Sequence, residues 1–123
     1  MNYRQYMLYP LLIVSLPAYS TEINKEDWMK EMTTLLPVIF CQSDQYFRQC
    51  FNVSAEKCEE AAASATRVCM GKYADQIPEI LVQPKDGTHW GTELGNCAGV
   101  AYEYALVKQR KSEDICNDAS HWQ

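Results

Sequence analysis

Apolar residues recur three and four positions apart along most of this chain, and strand-like alternation is nearly absent, so the pattern predicts helices. Asn24 is placed to cap a first helix, with Glu26 and Asp27 in its opening turn, where the helix dipole favours acids. From Trp28 an apolar stripe runs through Met32, Leu35, Ile39, Tyr46 and Cys50. Pro37 interrupts it, which predicts one kinked helix or two. Asn52-Val53-Ser54 breaks the pattern, and Ser54 caps a second helix from Ala55 to about Met70. Glu56, Glu59 and Glu60 sit near its start and Arg67 and Lys72 near its end, as the dipole prefers. Pro84-Lys85-Asp86-Gly87 carries turn residues. A last helix is predicted to begin between Thr88 and Thr92 and to run to about Lys108, with Val100, Tyr104 and Val107 as its apolar face.

The first twenty residues follow another logic. Arg4 precedes an apolar run from Met7 to Leu16, and Ala18 and Ser20 are small residues at the two positions a signal peptidase reads. This pattern predicts a signal peptide over 1–20, cleaved after Ser20. The run is about half of the roughly 20 apolar residues a spanning helix needs, so no membrane insertion is expected after cleavage. Residues 21–123 are expected to form a single helical domain with a short C-terminal tail, in the periplasm or secreted.

Six cysteines, Cys41, Cys50, Cys58, Cys69, Cys97 and Cys116, all follow this leader. Beyond the cytoplasm their expected fate is disulfides. Cys58 and Cys69 are 11 residues apart on one predicted helix, roughly 16 Å along its axis, too far to bond each other. Cys41 and Cys50 are excluded as a pair on the same ground if that segment is helical. The spacing suggests a nested hairpin with Cys50–Cys58 near the turn, Cys41–Cys69 at the far end, and Cys97–Cys116 tying down the tail. Nine helical steps place Cys41 and Cys50 on opposite sides of a straight helix, so the nesting requires a break near Gln42-Ser43-Asp44 or fraying at Cys50. The paired spacing resembles the twin-cysteine helical hairpins of the coiled-coil-helix-coiled-coil-helix class. That class keeps its two spacings equal, whereas eight and ten residues intervene here, so only architecture is taken from it. The expected fold is all-α: a small disulfide-stapled helical bundle of three to four helices with an antiparallel hairpin core.

Charge narrows the choice of partners. The chain carries 16 acidic and 11 basic residues, a net charge of −5. That balance disfavours nucleic acid and anionic membranes and suits a basic protein partner, or simply solubility. Catalytic patterns are missing: no Gly-x-Ser-x-Gly, phosphate-binding loop or EF-hand occurs. His89, Glu93 and Cys97 share one helix face, as a thiol or metal site would require. A bonded Cys97 and the lack of recognised zinc spacing favour a plain surface pair of His89 and Glu93 instead. No cofactor is expected.

Four glycines, Gly87, Gly91, Gly95 and Gly99, recur every fourth residue. Glycine inside a helix costs about 1 kcal/mol against alanine, so the spacing asks for a reason. One is close approach of another helix, with the Ala61–Ala65 face the preferred candidate. Another is a groove for a partner, with Trp90 as anchor. A third is a helix that starts later, leaving Lys85 to Trp90 as an exposed loop. The candidate binding residues are Thr88, His89, Trp90, Gly91, Glu93 and Gly95. The reading is a non-enzymatic, protein-binding exported domain: an inhibitor, an immunity protein or an accessory of an envelope machine. A small thiol- or metal-dependent enzyme and a structural component of the envelope are the alternatives.

Overall fold

The computed structural model describes residues 21–123; the leader read over 1–20 lies outside them. Three long helices and one short one form the body: α1 (Lys25–Phe40), α2 (Tyr46–Gln49), α3 (Ala55–Tyr73) and α4 (Lys85–Ala105). Two short strands, β1 (Thr21–Asn24) and β2 (Ile80–Gln83), pair antiparallel with Thr21 opposite Gln83 and Asn24 opposite Ile80. Three 3-10 turns, Val107–Gln109, Asp114–Asn117 and Ala119–Trp122, complete the chain. The small disulfide-stapled helical bundle expected from the pattern is the fold observed. The strand pair was not anticipated, because four residues per strand are too few for alternation to register.

Local signals explain the helix starts. The Asn24 side chain accepts from the Asp27 amide at 2.8 Å, and Ser54 accepts from the Lys57 amide at 3.1 Å, which satisfies one orphan donor at each N-terminus. Pro37 lies inside α1, which continues as one helix to Phe40. The break falls directly after it, at Cys41.

The core lies where α3 is flanked by α1 on one side and α4 on the other. α3 turns inward Cys58, Ala62, Ala65, Thr66, Cys69 and Met70, positions at helical spacing. α1 contributes Trp28, Leu36 and Phe40, α4 contributes Leu94, Ala98 and Tyr102, and Phe51 and Leu81 fill the centre. The small side chains of α3 let its neighbours approach, and the buried Thr66 hydroxyl is satisfied by the Ala62 carbonyl at 2.7 Å.

Several expectations are corrected here. Leu35 and Ile39 face solvent, while Leu36 and Phe40 point inward: the buried ridge of α1 steps by four from Trp28 through Met32. Val100, Tyr104 and Val107 are also exposed, and the buried face of α4 is Leu94, Ala98 and Tyr102, continued by Leu106. α4 begins at Lys85, three residues before Thr88, so Pro84 to Gly87 form its N-terminus. Proline suits that position because its missing N–H would be unpaired there anyway.

All six cysteines are bonded, and all three expected pairings are replaced. Cys41 bonds Cys58, Cys69 bonds Cys97, and Cys50 bonds Cys116. The two excluded pairs, Cys41–Cys50 and Cys58–Cys69, are indeed not formed. Because α1 stops at Phe40, Cys41 reaches the first turn of α3 directly. Cys50 then lies beyond α2 beside Phe51, which bridges to Arg110, and the Lys111 amide donates to the Cys50 carbonyl at 2.8 Å. That local pairing brings the tail, and Cys116 with it, to Cys50. α4 runs antiparallel to α3, which sets Cys97 opposite Cys69.

Candidate functional site

α4 carries every binding residue expected from the sequence, and its geometry sorts them. Successive residues turn by about 100°. His89 and Glu93 therefore fall on the same outward line as Val100 and Tyr104, with Val107 exposed just past the helix end. Tyr104 is 85% exposed, Val100 69% and Val107 62%. No ion pair joins His89 to Glu93 among the described residues. Trp90 and Gly91 turn toward the body. The Trp90 ring is half-buried, 6.0 Å from the Tyr73 ring and 4.8 Å from the His89 ring. A Cβ on Gly91 would come within 3.9 Å of the Met32 methyl. Thr88 is exposed, its carbonyl taking the Thr92 hydroxyl at 2.7 Å.

Close helix approach does not account for the glycine spacing. A Cβ on Gly95 meets nothing within 4 Å. Gly99 faces Cζ of Phe47 at 3.2 Å and a Cβ on Gly87 would overlap the side-chain amide of Gln83, and both neighbours are side chains, not the backbone of another helix. Alanines meet alanines instead: Ala101 and Ala105 of α4 line a shallow groove with Ala61 and Ala65 of α3, edged by Lys57 and Val68.

A second cluster, absent from the sequence reading, flanks the outward face of α4. The Tyr46 hydroxyl donates to the Glu103 carboxylate. Arg110 Nε donates to the same hydroxyl at 3.1 Å. The remaining nitrogens of Arg110 hold the tail, through the Cys116 carbonyl at 2.8 Å and Asn117 Oδ1 at 3.2 Å. Burial, reinforced by the bond to Glu103, raises the Tyr46 phenol above its ordinary pKa. The Tyr102 hydroxyl donates to the Phe47 carbonyl at 2.8 Å, and burial pushes its pKa up to about 12. Both phenols are thus held neutral, as hydrogen-bond donors that fix α2 against α4. The sequence spacing of 57 and 64 residues that joins Tyr46 to Glu103 and Arg110 left no local signal to find them by.

With every cysteine bonded, no thiolate is available as nucleophile or ligand. Among the described residues, no three His, Cys, Asp or Glu side chains converge as a metal site would need, and no helix is long and apolar enough to cross a membrane. Neither the curated proteins nor the solved structures offer a match to this chain. A family profile described as T2SS substrate NttA (T2SS, type II secretion system) does match, over residues 22–110. That span takes in β2, all of β1 but Thr21, all four helices and the Tyr46–Glu103–Arg110 cluster, so the chain belongs to the NttA family of T2SS substrates and is an exported protein.

Proposed function

We propose that this exported protein is a non-catalytic binding domain that engages another protein through the outward face of α4. The observation that carries the reading is Tyr104, 85% exposed beside Val100 on a helix whose opposite face is already buried in the core, with Val107 exposed just past the helix end. Apolar side chains aligned on one exposed helix face cost solubility unless something covers them. His89 and Glu93 extend that line toward the start of α4, so that from His89 to Tyr104 it runs about 23 Å at 1.5 Å per residue. Tyrosine is enriched among interface hot spots, and alanine truncation at such positions typically costs more than about 2 kcal/mol. A net charge of −5 favours a partner with basic groups around an apolar patch. Export favours an inhibitor-like role against a protein met outside the producing cell. An immunity protein or an accessory of an envelope machine would have to stay with that cell.

The test is affinity capture with three forms of the exported chain: wild type, Tyr104→Ala/Val107→Ser, and Trp90→Ala. A single protein held by wild type should be held at least about tenfold less by the Tyr104→Ala/Val107→Ser form, with circular dichroism unchanged. Equal capture by that form would refute the α4-face reading. Selective loss with Trp90→Ala instead would move the site to the Thr88–Gly95 end of the helix.

A further inference from the structure

The tail beyond Arg110 covers a feature of the body. Tyr46, Glu103 and Arg110 form one wall of an open recess of about 450 Å³, and Asn117, Ala119 and Trp122 form the other. The Trp122 ring stands edge-on to the Tyr46 ring, with centroids 5.6 Å apart. The first wall lies within the family match and the second lies beyond it.

How the second wall is attached decides its role. Cys116 is bonded to Cys50, and Arg110 holds the Cys116 carbonyl and Asn117. Past Asn117 these ties stop. Residues 118–123 make no hydrogen bond to residues 21–110 among those described; every bond they form is internal to the tail. Asp118 Oδ1 accepts from the Ser120 amide and hydroxyl, the His121 amide donates to the Asp118 carbonyl, and Trp122 Nε1 donates to the Ile115 carbonyl at 2.9 Å. The segment is therefore a preformed turn beyond a covalent anchor, and its Trp122 ring packs against the edge of the core where it meets Tyr46. Nothing polar has to be broken on the body for that ring to leave.

We propose that Trp122 is a placeholder, and that the Tyr46–Glu103–Arg110 recess is a binding site for an aromatic side chain, best an indole, of a partner protein. This chain's own Trp122 shows the chemistry the recess accepts: an aromatic edge-to-face contact with Tyr46. The anchor at Cys116 keeps Trp122 at high local concentration, so it competes with weak ligands and yields to a partner that also covers Val100, Tyr104 and Val107. The recess adjoins that stripe, since Glu103 and Arg110 border both. The proposal thus deepens the α4-face reading and rests on it for the partner's identity. Its own test needs no partner.

That test is an NMR titration of the exported chain, with its three disulfides intact, by an acetylated and amidated peptide of sequence Asp-Ala-Ser-His-Trp. In Trp122→Ala the peptide should give saturable shifts at Tyr46, Glu103 and Arg110. In wild type the same peptide should bind at least about tenfold more weakly, because Trp122 already covers the edge of the Tyr46 ring. Adding Tyr46→Ala to Trp122→Ala should abolish the shifts. The proposal is overturned if Trp122→Ala shows no saturable shifts, if wild type binds equally well, or if binding survives loss of Tyr46. A Trp122→Ala spectrum that has lost its dispersion would overturn it too, since Trp122 would then be part of the core. Capture and titration fail separately: the recess binds the peptide whether or not Tyr104 captures a partner.

Discussion

Replacing Cys50 and Cys116 together by alanine should be the most damaging disulfide deletion in this fold. The bridge closes 66 residues of chain, and the loop-entropy relation assigns such a loop ~4.4 kcal/mol. Cys69–Cys97 lies inside that loop and shortens the free path to about 38 residues, which lowers the figure to ~3.9 kcal/mol. The same relation gives ~3.6 kcal/mol for Cys69–Cys97, which spans 28 residues, and ~3.1 kcal/mol for Cys41–Cys58, which spans 17. Burial does not rank the three bridges, since Cys50, Cys58 and Cys69, one from each, are equally buried. Against the roughly 5–15 kcal/mol typical of a small domain, ~4 kcal/mol is a large share. The assay is guanidinium unfolding of the three double-alanine variants under non-reducing conditions, followed by far-ultraviolet circular dichroism. The m-value should rise in each variant, because the unlinked unfolded chain exposes more surface. A loss below about 1 kcal/mol for Cys50→Ala/Cys116→Ala, or an unchanged m-value, would refute the claim that the bridge acts on the unfolded chain.

Two further predictions concern α4. Gly95→Ala should stabilise the fold by about 0.5–1 kcal/mol, because the methyl enters open space and helix propensity improves; Gly99→Ala should gain less or lose, because the Phe47 ring stands 3.2 Å from the new Cβ, and thermal unfolding of the pair checks the order. Tyr102 bears on alkaline stability: its folded pKa of about 12 lies above the ordinary value of 10.0, so the stability it contributes is complete below about pH 10 and is lost as pH rises toward 12. The loss should reach about 1–3 kcal/mol, Tyr46 adds to it with the same sign, and unfolding midpoints at about pH 9 and pH 11 should converge in Tyr102→Phe relative to wild type; an equal alkaline loss in Tyr102→Phe would remove Tyr102 as the cause.

Much of the secondary structure was legible because its signals are local. Asn24 and Ser54 cap the helices they were expected to cap, since a cap involves only the next three residues. The inward face of α4 was not legible. Its C-terminal half carries apolar residues on two sides, Leu94, Ala98 and Tyr102 continued by Leu106 on one, and Val100 and Tyr104 continued by Val107 on the other. Periodicity finds an apolar stripe but does not choose between two. The binding residues named on α4 were divided likewise: His89 and Glu93 share the exposed line, while Trp90 is turned onto Tyr73.

By itself the sequence determined that this is a helical domain rich in cysteine, because composition, caps and period are properties of neighbouring residues. Which sulfur meets which was decided only by the tertiary structure. The stop of α1 at Phe40, the Phe51–Arg110 bridge and the antiparallel course of α3 and α4 choose the partners. The same long-range closure assembles Tyr46, Glu103 and Arg110, which are scattered along the chain and meet only once α2, α4 and the tail are folded together.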